Sequence, residues 1–117
     1  MTMLARERCV ACRPDSPRVT DEEAQELLKE IPDWKVVEQD GMKQLERTYK
    51  LKGFAAPTAL AAKIAERADQ VDHHPKLTIE WGKLMVNWWT HTVKGLHRND
   101  FIMAAQSDEM FREATKK

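Results

Sequence analysis

No stretch of this 117-residue chain approaches the roughly 20 consecutive apolar residues that a membrane-spanning helix needs. The first residues, Met1 to Cys12, carry basic side chains but no apolar run of secretory length, so a cytoplasmic protein with no membrane partner is expected. Neither charge sign is in excess, because 19 Lys and Arg balance 19 Asp and Glu. Binding a phosphate backbone draws on surplus cations to release counterions, so direct nucleic-acid binding is not expected. Cysteine is scarce as well. Cys9 and Cys12 form C-V-A-C, a spacing that suits half a zinc site or a redox pair. No second ligand pair completes a zinc site, and no strand precedes the pair as a redox motif would require. Two thiols in an irregular arm are the expectation. What remains is 42% hydrophobic and 32% charged, the composition of one soluble globular domain. Trp34, Trp81, Trp88 and Trp89 are expected in core or interface packing.

Residues 1–18 end in Arg13-Pro14-Asp15-Ser16-Pro17-Arg18 and read as an irregular N-terminal arm; residues 19–117 read as a single domain. Thr20-Asp21-Glu22-Glu23 makes a capping box that opens a helix running to about Glu30. Pro32 stops it. Trp34 to Gln39 reads as a strand, Asp40-Gly41 as a hairpin turn and Met42 to Lys50 as the returning strand, with Leu45 and Tyr49 on its buried side. A second, alanine-rich helix is predicted from about Ala55 to Gln70, with Pro57 harmless in its first turn. Leu77, Ile79 and Trp81 alternate with polar residues as a third strand, Gly82-Lys83 turns it, and Leu84 to Thr92 reads as the fourth. A last helix is predicted from about Asp100 to Ala114, capped by Asn99 or Asp100. The order αββαββα implies an α+β fold, an antiparallel sheet of four strands with three helices on one face.

Three of the four histidines, His73, His74 and His91, lie within nineteen residues. Imidazole titrates near neutrality, with a pKa of about 6.5, so such a cluster suits proton traffic at cellular pH. His73 and His74 stand where a helix gives way to extended chain, so their rings diverge and can grip different parts of one ligand. Asp69, Asp72, Glu80 and Asp100 are acidic neighbours that can raise or orient the imidazoles. His97 reads as an exposed loop residue. A zinc site built from His73, His74, His91 and an acid is the rival reading. It is disfavoured because adjacent histidines seldom share one centre and the helical i, i+4 pair is missing.

The spacing Asp69-x3-His73-His74-Pro75-x5-Trp81-x9-His91-x8-Asp100 resembles the signature of the pterin-4α-carbinolamine dehydratase family, and the resemblance spans about residues 19–114. Glu80-Trp81-Gly82-Lys83 and the run from Lys94 to Phe101 resemble bacterial members that accompany phenylalanine hydroxylase. The resemblance implies dehydration of 4a-hydroxytetrahydropterin to quinonoid dihydropterin and water, with no metal or redox cofactor. It implies that His73, His74 and His91 are the pterin-site histidines. On this reading His73 and His91 transfer the protons, and His74 chiefly binds and polarises the ring. Asp72 matches an acidic pocket position, Asp69 stands where animal members carry Glu, Thr90 offers its hydroxyl or backbone to the pterin, and Asp100 orients the site or caps the last helix. Animal members have Arg immediately before that aspartate; here it is Asn99, with Arg98 one position earlier. Relatives pair into homodimers through sheet edges, and some go on to tetramers through helices. Animal relatives also act as a dimerisation cofactor for a transcription factor, and bacterial ones have been linked to hydroxylase expression, so a protein-binding regulator is the alternative function.

Overall fold

The structure is a computed structural model that describes Arg6 and residues 18–115, with the side chain of His91 left out. Cys9, Cys12 and the arm expected over residues 1–18 lie outside the described residues, apart from Arg6 and Arg18. Helix α1 (Asp21–Leu28) opens on the expected capping box: Thr20 Oγ1 accepts from the Glu23 backbone at 3.1 Å, and Glu23 Oε1 accepts from the Thr20 N–H at 3.0 Å. These bonds also hold the Glu23 carboxyl below the usual carboxylate range. Thr20→Ala is expected to cost about 1 kcal/mol of stability, and a urea melt of the variant would check it.

Strands β1 (Lys35–Gln39) and β2 (Met42–Lys50) form a hairpin whose turn, Asp40-Gly41, has positive φ at both residues. Helix α2 (Ala55–Val71) crosses the sheet and delivers the chain to β3 (Lys76–Glu80) and β4 (Lys83–Trp88). The sheet is antiparallel in the order β1-β2-β4-β3, and helix α3 (Arg98–Thr115) closes the fold. Leu45 and Tyr49 from β2, and Leu84, Val86 and Trp88 from β4, present one buried face. Leu60 and Ile64 of α2, and Phe101 and Met103 of α3, join them in one core cluster. The α+β class and the element order are those expected from the sequence.

Two strand ends differ from that expectation. Trp81 is not in β3. It forms a two-residue turn with Gly82, whose φ of 82° closes the hairpin between the paired Glu80 and Lys83, and it is 77% exposed. The fourth strand ends at Trp88 rather than Thr92, because its pairing stops at Asn87 on the β3 side and at Trp88 on the β2 side, and a strand does not continue without a partner. Beyond it the chain makes a single 3-10 turn, His91–Val93, closed by a bridge between Thr90 and Gly95.

The buried stretch of α3 carries several polar side chains that bond across the core. Asp108 Oδ1 accepts from Trp34 Nε1 (3.0 Å), Tyr49 Oη (2.6 Å) and an Arg47 guanidinium nitrogen (2.6 Å). The Arg47 guanidinium also lies 4.4 Å from the Tyr49 ring centroid. Burial, together with the neighbouring Asp108 charge, pushes the Tyr49 hydroxyl far above its usual range, so it remains a donor. This hub fastens the start of the sheet to α3.

Candidate active site

Helix α2 ends on Asp72, which adopts the left-handed conformation (φ 53°, ψ 45°), and the next N–H, that of His73, returns to the Ala68 carbonyl at 3.1 Å. Such a cap reverses the chain within one turn. It sends the two following histidines apart. His73 goes inward, its side chain only 10% exposed, and its Nε2 meets Asp100 Oδ1 at 2.6 Å. His74 remains outside, 56% exposed, with Nε2 3.0 Å from Asp69 Oδ1. Asp72 itself is exposed at the turn, and Glu80 lies at the far end of β3 beside Lys83.

Asp100 is fully buried. Its Oδ2 accepts from the Thr90 hydroxyl at 2.8 Å and from the His97 N–H at 2.9 Å. An ionised Asp100 carboxylate has no proton to give, and towards it His73 is the donor through Nε2–H. Nδ1 is then the ring nitrogen left for proton exchange. The Trp88 indole stacks on the same imidazole, with centroids 5.6 Å apart and planes 2° from parallel, and donates its own Nε1–H to Ser107 Oγ at 3.2 Å. His73 is thus held at its edge by a carboxylate and on its face by an indole, which is how a general acid or base is kept in one rotamer and one tautomer. Thr90 has its hydroxyl proton on Asp100 and its backbone in the bridge to Gly95.

Of the residues picked out from sequence, His73, Thr90 and Asp100 converge, His74 and Asp69 form a separate exposed pair, and His91 contributes a backbone position on the 3-10 turn, its side chain lying outside the described residues. Two expectations are corrected. His97 is not an exposed loop residue: it is 7% exposed and occupies the cap position before α3. The cap is therefore neither Asn99 nor Asp100. His97 Nδ1 accepts the Asn99 N–H at 3.0 Å, and Asp100 stands at the third helical position, reaching back to the His97 N–H. The spacing from His97 to Asp100 equals that from Thr20 to Glu23, a signal that was available in the sequence. The stacking partner Trp88 was legible only as a residue expected in core or interface packing. Among the described residues, no three His, Cys, Asp or Glu side chains are arranged to hold a metal ion. No helix among them is long and apolar enough to cross a membrane. The 780 Å³ cleft between α2 and α3, lined by Lys63, Arg67 and Arg112 among others, contains neither His73 nor His74.

Burial lowers the pKa of His97, against the pull of the Asp100 charge and with the help of the nearby His73. The unfolded chain, with a histidine pKa of about 6.5, then binds a proton that the folded chain resists. Stability from this group is complete above that value and is lost as pH falls through the folded pKa. Thermal melts across pH 5–8 are expected to show a drop in Tm below about pH 6.5 that is shallower in His97→Asn, which caps without titrating.

Residues 17–110 match the model of the family described as pterin 4 alpha carbinolamine dehydratase. A protein of Marinobacter nauticus, provisionally named a pterin-4-alpha-carbinolamine dehydratase, is 48% identical over 111 residues, covering 95% of this chain and 100% of that one. Among solved structures, the transcriptional coactivator/pterin dehydratase of Brucella melitensis superposes with a TM-score of 0.74 at 29% identity, covering 80% of this chain and 98% of that one.

Proposed function

The chain belongs to the pterin 4-alpha-carbinolamine dehydratase family, and from that membership we propose that it converts 4a-hydroxytetrahydropterin to quinonoid dihydropterin and water by histidine acid–base catalysis. The observation that carries the histidine role is the part-buried dyad of His73 and Asp100, 2.6 Å apart, within the spacing that resembles the family signature. In the reaction a proton reaches the 4a-oxygen, the C4a–O bond breaks, water leaves, and a ring N–H loses its proton. One imidazolium and one neutral imidazole suffice, each contributing about 10²–10⁴-fold. His73 and His91 form the proton-transferring pair. His74, more exposed and paired with Asp69, binds and polarises the ring, with Asp72 beside it. Thr90 and Asp100 act through His73, since the Thr90 hydroxyl and both Asp100 oxygens are engaged inside the protein.

In this reading the enzyme works in the cytoplasm, recycles the pterin of an aromatic amino-acid hydroxylase and forms a homodimer. The two edge strands, β1 and β3, offer unpaired backbone for such an assembly. Sedimentation equilibrium would measure it. A second reading, a protein-binding regulator, draws on the Brucella melitensis neighbour, whose description couples coactivator with dehydratase. A stopped-flow ultraviolet assay of carbinolamine dehydration separates the two. Acceleration over the buffer rate is expected; a folded native protein that gives none would overturn the enzyme reading and leave the regulator.

A further inference from the structure

Building on the dehydratase reading, we propose that His97 is a positioning residue that holds His73 in its working geometry through Asp100. Helix starts leave backbone N–H groups without partners, and Ser, Thr, Asp or Asn at the cap usually satisfies one. At α1 Thr20 does this. At α3 an imidazole takes the place, with His97 Nδ1 accepting the Asn99 N–H at 3.0 Å. A backbone N–H can only donate, so this nitrogen carries a lone pair, and neutral His97 is protonated on Nε2. The returning half of the box is Asp100, whose Oδ2 takes the His97 N–H at 2.9 Å.

In an ordinary capping box the carboxylate has no further duty. Here the same group is the partner of His73. Two donors on Oδ2, the His97 N–H and the Thr90 hydroxyl, fix the carboxylate plane, and that plane sets where Oδ1 meets His73 Nε2. His97 and Asp100 are both buried, so water does not readily replace a lost bond. The first turn of α3 therefore transmits its own geometry to a ring 24 residues earlier in the chain. Removing the Nδ1 acceptor frees the Asn99 N–H, loosens the turn on which Asp100 rides, and lets His73 change tautomer and rotamer.

The test uses protein labelled with ¹⁵N-histidine, in which two-bond ¹H–¹⁵N correlation spectra report the tautomer of His73, together with stopped-flow kinetics. Native protein is expected to show His73 as the Nε2–H tautomer. His97→Ala should give a tautomer mixture and lower kcat about tenfold, with KM within about threefold of native because no substrate contact is removed. His97→Asn, which keeps an acceptor at the cap, should restore both. His97→Gly also lacks the acceptor, yet at a cap it sacrifices only a few tenths of a kcal/mol; it provides the same test should the alanine variant fail to fold. A folded Ala or Gly variant with native tautomer and native kcat would overturn the proposal and reduce His97 to a structural cap. The spectra need no substrate. Absence of dehydration by native protein would therefore defeat the enzyme reading while the tautomer result still decided the link from His97 to His73.

Discussion

Replacing His73 with Ala is expected to slow carbinolamine dehydration by about 10²–10⁴-fold, the range that a positioned general acid or base contributes. Stopped-flow absorbance on native and variant protein at matched substrate would measure it. The size of the effect follows from how completely the ring is held. Asp100 takes its Nε2–H at 2.6 Å and Trp88 stacks on its face, so the free protein already keeps the imidazole in one orientation and does not have to order it at the moment of reaction. The loss should fall on kcat more than on KM, because the proton transfer belongs to the transition state. His74→Ala is expected to raise KM more than it lowers kcat, since that ring is exposed and paired with an exposed Asp69. A folded His73→Ala protein with native kcat would remove His73 from the chemistry.

The second large effect is on stability. Asp108→Ala is expected to destabilise the fold by about 3–5 kcal/mol, the cost of removing one partner from a buried charged pair. Arg47 would keep its charge in a partly buried place, with Asp33 at 3.5 Å as the remaining acid among the described residues, while Trp34 Nε1–H and the Tyr49 hydroxyl would lose their acceptor inside the core. The same change joins two problems, an orphaned cation and two orphaned donors, which is why it exceeds an ordinary core polar substitution. Urea unfolding followed by tryptophan fluorescence would read it, and Trp34 reports on the site directly. Asp108→Asn should lie between the two, since the amide oxygen still accepts. A loss below about 1 kcal/mol for the alanine variant would mean that Asp108 contributes little to holding α3 on the sheet.

Much of the architecture could be read before any coordinates. The box at Thr20, the Asp40-Gly41 turn and the bounds of β2 all rest on interactions between near neighbours, and each is found where the pattern put it. The errors share a cause. Alternating side chains carried the fourth strand on to Thr92, but a strand needs a partner, and past Trp88 neither β2 nor β3 is in register to supply one. Trp81 fitted the alternation of β3 and yet sits in the turn, because positive φ at Gly82 closes the hairpin one residue earlier. His97 looked exposed because it follows a glycine-containing loop, and its burial arises from the packing of the start of α3.

By itself the sequence determined the order of elements, the amphipathic faces and the presence of a histidine set with acidic neighbours, because propensity, capping and turn chemistry act over a few residues. Only the tertiary structure decided which acid serves which histidine. Asp69 and Asp72 are nearest to His73 in the chain, yet its partner is Asp100, 27 residues away. The choice was made by the left-handed turn at Asp72, which aims one imidazole inward and the next outward, and by α3, whose capped first turn brings a buried carboxylate to the Thr90 hydroxyl and to the ring on which Trp88 stacks. Such partnerships depend on how the helices seat on the sheet, and that seating is the summed packing of the whole core.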